Sequence, residues 1–352
     1  MTTRTADIHY IEHLATSWEP KMRDAFLAAI KEIGDNVDIA TLTRLLQNGD
    51  VSGALAAVGV DPAHFNALVV TQQSAFNAGG LAAARAAPLL PQVGGYAVRV
   101  LFDVRNPRAE AWIRNESSTL VKDIVDDQRT MIRDYLQQGL AAGKNPRTVA
   151  LDLVGRVSSG SKVRQGGVIG LASNQEQWLR NYEADLASND PAALRNLLSR
   201  SLRDKRFDAT VLRAIKEGTG IPADMQAKMR TAYANRSLKW RGDNIARNET
   251  IKSLGAAQAE AYQQSIDRGH IDVDLITKFP VTAGDERVRH THREVPGMNP
   301  NGRKWNEPYQ TPFGAQMHAP YPDQVGCRCH ERIQVDFLAK AIAKHRAAQS
   351  GQ

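Results

Sequence analysis

The chain has 352 residues, of which 42% are hydrophobic and 24% are charged, and it carries a formal charge of +7. This balance is ordinary for a globular protein with one or more buried cores, and no segment approaches the ~18 consecutive apolar residues of a membrane helix. Two cysteines and an amino terminus without a long apolar stretch exclude a disulfide framework and a secretory signal, so we expect a soluble, cytoplasmic product without a membrane partner.

The amino-terminal region is predicted to be helical. Apolar residues recur every three or four positions from Ile8 to Ile30, which predicts one amphipathic helix. Asp38 is the expected N-cap of a following short helix. The pair Gly79-Gly80 and the prolines after it predict a break in regular structure. We therefore take residues 1–95 as the amino-terminal helical region.

The central region, residues 96–237, is also predicted to be helical. A second long helix is expected to begin near Asn106, and three shorter helices follow later in the region. Between them, residues 157–170 form a polar segment rich in Gly and Ser, which we interpret as a mobile linker. Pro222 is expected to open the longest helix of the chain, ending near Gly269.

The positive charge is concentrated at the end of this region. Between Ser201 and Lys252 there are 12 Lys or Arg against 6 Asp or Glu, an excess of 6. Such an excess favours contact with nucleic acid, although a solvated helix surface explains it equally well. Without interleaved aromatics or a helix-turn-helix signature, we expect only non-specific, salt-sensitive binding to double-stranded DNA. The candidate DNA contacts are Arg203, Lys205, Arg206, Lys228, Arg230, Arg236, Lys239 and Arg241.

The carboxyl-terminal region changes character. Ile271–Val281 alternates and contains β-branched residues, which predicts a strand, and Cys329–Val335 is the expected returning strand. We therefore predict a small α+β domain over residues 238–335, followed by a helix or tail over 336–352. The predicted fold class is mainly α, with a multi-helix amino-terminal and central body ahead of this domain.

Three clusters of residues carry the functional hypothesis. They are the first cluster (Ile245–Thr250), the second cluster (Asp285–His292) and the third cluster (Cys327–His330). The second cluster combines acid, guanidinium and imidazole groups, with Asp285 expected to cap a helix and Arg287 expected to reach Glu249. We interpret it first as an ion-pair network that holds the fold, and second as a set of chemically active groups.

The cysteines of the third cluster raise the question of metal. Zinc sites need four ligands, commonly with Cys-x₂₋₄-Cys spacing, so Cys327 and Cys329 supply at most half a site. His292, His318 or His330 could complete it. Alternatively, the two thiols are small buried hydrophobes, and no catalytic cysteine signature is present. No cofactor is certain, and zinc at Cys327, Cys329 and His292 is the candidate.

Together and in this order, the clusters resemble the head-morphogenesis family of tailed bacteriophages, the Mu F-like minor head proteins. The family shows an Ala-Arg-x-Glu-Thr helix, then Asp-x-Arg-x-Arg-x-x-His, then Cys-Arg-Cys after a loop rich in Gly and Pro. The matching residues are Ala246, Arg247, Glu249, Thr250, Asp285, Arg287, Arg289, His292, Cys327, Arg328 and Cys329. The likeness covers about Leu238 to Val335. One departure is Val295-Pro296-Gly297, where the family often has a polar-Gly pair.

The resemblance implies a low-copy internal head component. It would associate with the portal protein, with capsid or scaffolding proteins and with DNA during head assembly, packaging or ejection. Its expected place is the virion, inside the head near the portal vertex, after assembly in the host cytoplasm. No catalytic residue is implied. The alternative is a nuclease or an ADP-ribosyltransferase-like, toxin-related enzyme at the carboxyl terminus, with Asp285, Arg287, His290 and His292 as candidate groups.

Overall fold

The structure is a computed structural model that describes residues 10–87, 90–91, 97–157, 160, 163–319 and 325–336. It is 67% helical with 8% strand, which confirms the mainly α fold with a small strand-containing carboxyl-terminal region. The final helix or tail predicted over residues 336–352 lies outside the described residues, apart from Asp336.

The described residues form twelve α-helices, three short 3-10 helices and nine short strands. The α-helices are α1 (Tyr10–Asn36), α2 (Ile39–Gln47), α3 (Val51–Val58), α4 (Asn66–Ala86), α5 (Pro107–Ala141), α6 (Pro146–Val154), α7 (Ser173–Ala187), α8 (Pro191–Ser199), α9 (Asp208–Glu217), α10 (Ala223–Asp267), α11 (His290–Arg293) and α12 (Val295–Met298). The 3-10 helices are Pro62–Phe65, Lys205–Phe207 and Val273–Leu275. The strands are β1 (Leu90–Pro91), β2 (Ala97–Val98), β3 (Arg156–Val157), β4 (Arg164–Gln165), β5 (Ile276–Val281), β6 (Arg303–Lys304), β7 (Tyr309–Thr311), β8 (Gly314–Gln316) and β9 (His330–Val335).

Local capping sets several helix starts, as the sequence predicts. The carboxylate of Asp38 accepts hydrogen bonds from the backbone N–H groups of Ala40 and Thr41, each at 3.1 Å. Asp50 accepts one from the N–H of Gly53 at 2.8 Å. Each bond satisfies a backbone donor that the first helical turn leaves without a partner, which fixes where the helix begins.

The predicted break at Gly79-Gly80 is wrong, because both glycines lie inside α4. A Cβ atom at Gly80 would lie 2.4 Å from ring atoms of Phe102, and one at Gly79 would lie 3.0 Å from Leu254 Cδ2. The glycines therefore permit close packing against α4. The helix tolerates their lower propensity because these contacts require residues without side chains.

The second half of the polar segment at residues 157–170 is not the linker that its composition predicts, and residues 158–159 and 161–162 lie outside the described residues. Val157 pairs with Arg164 in the antiparallel β3–β4 ribbon. Val168 and Ile169 are buried, at 0% and 4% exposure. The second half of this segment is thus part of a core. The overall composition of the segment does not indicate this, because polar residues dominate its first half.

One stretch, Val51–Ala86, passes a test for a membrane span by length and composition, with an 18-residue window of mean hydropathy 1.3. The stretch is not one continuous helix, because α3 ends at Gly59 in the left-handed conformation and the 3-10 helix Pro62–Phe65 precedes α4. Length and apolar composition alone are weak support for a membrane span, and the expectation of no membrane partner stays a prediction.

The chain divides into two compact units, each built from separated stretches. The first unit comprises the described residues of Met1–Arg23, Val69–Ser117 and Asn244–Gln352, and the second comprises Asp24–Leu68 and Ser118–Asp243. The divisions fall within α1, α4, α5 and α10. The boundaries predicted after residues 95, 237 and 335 separate consecutive segments, which this division does not test, so they stay predictions.

The first unit contains a three-stranded antiparallel sheet in the order β6-β5-β9. The β5–β9 register runs from the pair Ile276–Val335 to the pair Val281–His330. Side chains alternate across a strand, so Ile276 and Val335 lie on one face, where they join a buried apolar cluster with Trp305. The sheet thereby fixes the position of the segment that leads into β9.

A buried polar contact holds the second unit together. Arg241 on α10 is 9% exposed and donates to Asp127 on α5 at 2.9 Å and to the carbonyl of Gly170 at 3.0 Å. The amide of Gln128 donates to the carbonyl of Leu171, and its oxygen accepts from the N–H of Gly170, both at 2.7 Å. These bonds satisfy groups that would otherwise be buried without partners.

We expect Asp127→Ala to lower the free energy of unfolding by about 3 kcal/mol, because it leaves the buried Arg241 guanidinium without its carboxylate. This value is at the low end for buried pairs, since the Asp127 side chain is 30% exposed. The matched control is Asp126→Ala, whose carboxylate pairs with Lys122 at the exposed surface and whose loss should change the stability far less. Urea unfolding measures both variants, and equal losses would contradict the role assigned to Asp127.

Candidate functional site

The structure brings the second and third clusters together in the first unit. His292 lies on α11, and Cys327 and Cys329 lie immediately before β9. The Nδ1 atom of His292 is 3.3 Å from the Sγ atom of Cys327 and 3.5 Å from that of Cys329. All three side chains are buried, with exposures of 1%, 5% and 2%. An imidazole and two thiols therefore share one enclosed site.

Two arginines form hydrogen bonds between the segments that carry these groups. The guanidinium of Arg289 donates to the carbonyl of Val325, and that of Arg328 donates to Asp285 at 2.5 Å. The hydrogen bond from Arg328 lowers the pKa of Asp285 below its ordinary value. Asp285 also accepts from the N–H of Arg287 at 3.1 Å, so it closes a turn ahead of α11. The prediction that Asp285 caps the helix is wrong, because α11 begins five residues later, at His290.

The first cluster contacts the third through a residue that sequence reasoning missed. The side-chain oxygen of Asn248 on α10 accepts a hydrogen bond from the N–H of Gly326 at 2.7 Å. Gly326 has a φ of 71°, in the left-handed region, directly before Cys327. Asn248 occupies the variable position of Ala-Arg-x-Glu-Thr, so the family motif gave no signal for it.

Apolar groups enclose the site. Cys327 and Cys329 belong to a buried cluster with Val295, Tyr309 and Ala319. Val295 opens α12 at the position where the family often has a polar-Gly pair, and here that position is part of the core. Such an environment excludes water and favours tight ligand binding over free exchange with solvent.

The donor set has the dimensions of a metal site. With zinc–sulfur and zinc–nitrogen bonds of about 2.3 and 2.05 Å, a tetrahedral site separates sulfur from nitrogen by about 3.6 Å. The separations to His292 Nδ1 are 3.3 and 3.5 Å, and the ligand atoms of His292, Cys327 and Cys329 all lie within 4.8 Å of one another. This cluster could hold a metal ion.

The two thiols differ in acidity. A hydrogen bond from the Cys329 thiol is the main cause that lowers the pKa of Cys327, with the N–H of Cys329 and His292 acting in the same direction and burial opposing them. The pKa of Cys329 is raised because it shares its proton with Cys327 and is buried. One proton of the pair is therefore lost more readily than that of an ordinary cysteine, and the thiolate is the form that binds metal.

The other histidines considered as ligands have different contacts. His318 Nδ1 lies 3.2 Å from the buried carboxylate of Glu331, and His330 Nδ1 lies 3.2 Å from the carbonyl of Arg328. Of the three candidate histidines, only His292 is part of the ligand group found among the described residues. The candidate set named from the sequence, Cys327, Cys329 and His292, is the set whose ligand atoms lie together.

Glu249 of the first cluster has an interior structural contact. It accepts a hydrogen bond from the amide of Gln72 at 2.9 Å, and the oxygen of that amide accepts one from Ser117 at 2.9 Å. These two hydrogen bonds link α10, α4 and α5 within the first unit. The predicted contact between Arg287 and Glu249 is wrong, because Arg287 is exposed while Glu249 lies in this network.

The other residues of the first cluster also contact the helical framework. Ala246 and Thr250 are buried, at 1% and 0% exposure. Arg247 forms an ion pair with Glu19 of α1, with Nε 3.4 Å from the carboxylate. The first cluster therefore supports the helical framework, and its Asn248 reaches the backbone ahead of Cys327.

The eight candidate DNA contacts all lie in the second unit, and two of them are interior. Arg241 binds Asp127, and Arg230 binds both Glu183 and the carbonyl of Gly166 at 2.5 Å, with a side chain only 17% exposed. Because their guanidinium groups are committed to these partners, Arg230 and Arg241 do not fit the predicted role. The other pairs are Arg203–Asp208, Arg206–Asp204, Arg236–Asp204, Lys228–Asp224 and Lys239–Asp243.

One buried carboxylate organises the basic surface. Asp204 is 4% exposed and lies between Arg206 at 2.7 Å and Arg236 at 3.2 Å. Hydrogen bonds from Arg206 are the main cause that lowers the pKa of Asp204 to about 2. Two guanidinium groups share this single carboxylate, so the pairing leaves one positive charge without an equal negative one.

Comparisons of the chain with protein-family models, with curated proteins and with solved structures find no match. The function is therefore inferred from the arrangement of the residues.

The depressed pKa of Asp204 makes part of the stability pH-dependent. The stabilisation is fully present above the pKa of about 3.9 expected in the unfolded chain, and it is lost as the pH falls through about 2. We expect Asp204→Asn to cost about 1–2 kcal/mol at neutral pH, a value discounted because the Arg206 side chain is 81% exposed.

Acid titration of the unfolding free energy measures this contribution. The difference between the wild type and Asp204→Asn should shrink between about pH 4 and pH 2. The control is Asp224→Asn, which removes an exposed carboxylate paired with Lys228. A constant difference across this range would show that Asp204 acts through packing and not through its charge.

Proposed function

We propose that this chain is a minor head protein of a tailed bacteriophage, a structural component that assembles with the portal protein and with capsid or scaffolding proteins. The observation that carries the proposal is the convergence of the second and third clusters. Asp285, His292, Arg328 and Cys327 were singled out from the sequence, and they make direct contacts across 35 to 43 residues, while Arg289 reaches the carbonyl of Val325. A chance likeness in three short motifs gives no reason for such contacts.

The proposal includes zinc as a structural ion at His292, Cys327 and Cys329. Two thiolates and an imidazole suit zinc better than hard cations, which prefer oxygen ligands. The ion would join α11 to the start of β9 and so hold the intervening segment. Burial of all three ligands supports a structural role, because it leaves no path by which a substrate could reach the fourth coordination position.

The contacts of the alternative catalytic groups favour the structural role over the enzymatic one. Asp285 binds Arg328, His290 lies near Glu294 with 85% of its side chain exposed, and the Nδ1 of His292 lies near the sulfurs. Arg287 is exposed. A phosphate-cleaving or ADP-ribosyl-transferring site needs its groups to meet at one reacting atom, and these groups have separate partners.

We expect the purified full-length chain to contain about one zinc ion, measured by inductively coupled plasma mass spectrometry. His292→Ala and Cys329→Ala should lose the metal, because three protein ligands then become two. The control is His290→Ala, which removes an exposed imidazole two residues away and should keep the metal. Chelation should lower the midpoint of thermal unfolding in the wild type and in the control, but not in the two ligand variants.

Cobalt loading gives a second test of the same site. Thiolate-bound cobalt absorbs in the near ultraviolet, so the wild type and His290→Ala should show this band and Cys329→Ala should show less of it. A wild type that stays metal-free in zinc-supplemented expression, or metal retained by both ligand variants, would exclude this part of the proposal. The head-assembly part would remain open to the following test.

We expect the chain to co-purify with the portal protein of its own phage through size exclusion at moderate salt. The mass of the complex would give the number of copies per portal ring. An unrelated portal protein is the control for non-specific association. Failure to bind the cognate portal, when that portal is folded and forms its ring, would count against the head-assembly proposal.

A further inference from the structure

A cleft of about 400 Å³ lies in the second unit, between the end of the β3–β4 ribbon, the 3-10 helix Lys205–Phe207 and α10. Its lining includes Gln165, Arg206, Phe207, Lys228, Thr231 and Asn235. The residues lining this cleft include two cations and several neutral hydrogen-bond donors, and none of them is acidic. Such a lining is complementary to an anion that accepts hydrogen bonds through several oxygens.

The first wall of the cleft is fixed by Gly166. Its N–H donates to the side-chain oxygen of Asn235 at 2.9 Å, and its carbonyl accepts from Arg230 at 2.5 Å. Gly166 has a φ of 73°, and a Cβ atom there would lie 2.9 Å from the hydroxyl of Thr231. This close approach of backbone to α10 places the neighbouring Gln165 at the rim.

The second wall is fixed by the residues around Asp204. The guanidinium of Arg236 on α10 donates to the carbonyl of Arg203 at 2.5 Å and lies 3.2 Å from Asp204. Asp204 accepts from the N–H of Arg206 at 3.1 Å, which starts the 3-10 helix that carries Arg206 and Phe207. Both walls are therefore attached to α10, and the cleft exists before any ligand arrives.

Donors remain available in the cleft after these structural bonds are formed. Arg206 binds Asp204 through Nε and Nη2, which leaves three of its five N–H groups. Asn235 uses its oxygen for Gly166, so its NH₂ group can donate elsewhere. Lys228 donates to the exposed Asp224 at 3.1 Å and to the sulfur of Met225 at 3.9 Å, which leaves one further N–H group.

We propose that this cleft binds the phosphodiester backbone of double-stranded DNA. The donors contact phosphate oxygens without reading bases, which agrees with sequence-independent binding. The cleft is larger than one phosphate group requires, so it has room for a segment of a phosphodiester chain. The proposal uses residues separate from the zinc ligands, and it does not depend on binding to the portal protein.

The test measures fluorescence anisotropy of a labelled duplex of about two helical turns against the full chain, from about 50 to 200 mM salt. The variant Lys228→Gln should weaken binding and lower the slope of log K against log salt by about 1. Lys228 is exposed, so circular dichroism and the unfolding midpoint should not change.

The matched control is Lys122→Gln, which removes an exposed lysine of the same unit that pairs with Asp126 as Lys228 pairs with Asp224. It should leave the affinity and the salt slope nearly unchanged. Equal weakening by the control would show diffuse attraction and overturn the cleft assignment. Tighter binding of a single strand, or competition by inorganic phosphate at matched ionic strength, would also overturn the proposal.

Discussion

Buried charged and polar side chains of α10 are stable only when they form hydrogen bonds or ion pairs with other elements of the same unit. The packing of both units depends on these contacts. In the second unit Arg241 on α10 is buried and reaches Asp127 on α5. In the first unit Glu249 on α10 accepts from Gln72 on α4, and Asn248 accepts from the backbone ahead of Cys327. Each contact fixes one element against a helix of 45 residues. The ligand group and the basic cleft therefore lie on segments that α10 holds in position.

Sequence reasoning predicted the features that depend on near neighbours. The cap at Asp38 involves groups two and three residues away, and its short-range pattern is visible in the chain. The role of Gly80 was misinterpreted because the ring of Phe102, which leaves no room for a side chain there, is distant in sequence. The same limit explains Arg287, whose expected partner Glu249 is taken by Gln72. A pattern of residue types does not contain these long-range choices.

The candidate sites show the same division. The motif spacing indicated that His292 and the cysteines belong together, since the resemblance treats them as one set. The count of positive charges could not separate Arg241, whose carboxylate partner is 114 residues away, from Lys205 at the surface. Asn248 was missed because it accepts a hydrogen bond from the backbone N–H of Gly326. A backbone N–H does not depend on the residue type, so the sequence pattern gives no sign of this contact. The net charge of a segment identifies a basic region, whereas burial decides which of its basic side chains can contact a ligand.

The contact between His292 and Cys327 spans 35 residues and leaves the β7–β8 hairpin between its two ends. In polymer terms, the entropy lost on closing a flexible loop grows only with the logarithm of its length, by about 0.6 kcal/mol for each doubling. The loop could therefore lengthen considerably at small thermodynamic cost. Insertions at the exposed Asn306 and Glu307, between β6 and β7, should be tolerated far better than insertions at the hairpin tip, where the ring of Phe313 contacts that of His292. Variation in chain length would then concentrate between β6 and β7, while the groups that close the loop stay fixed.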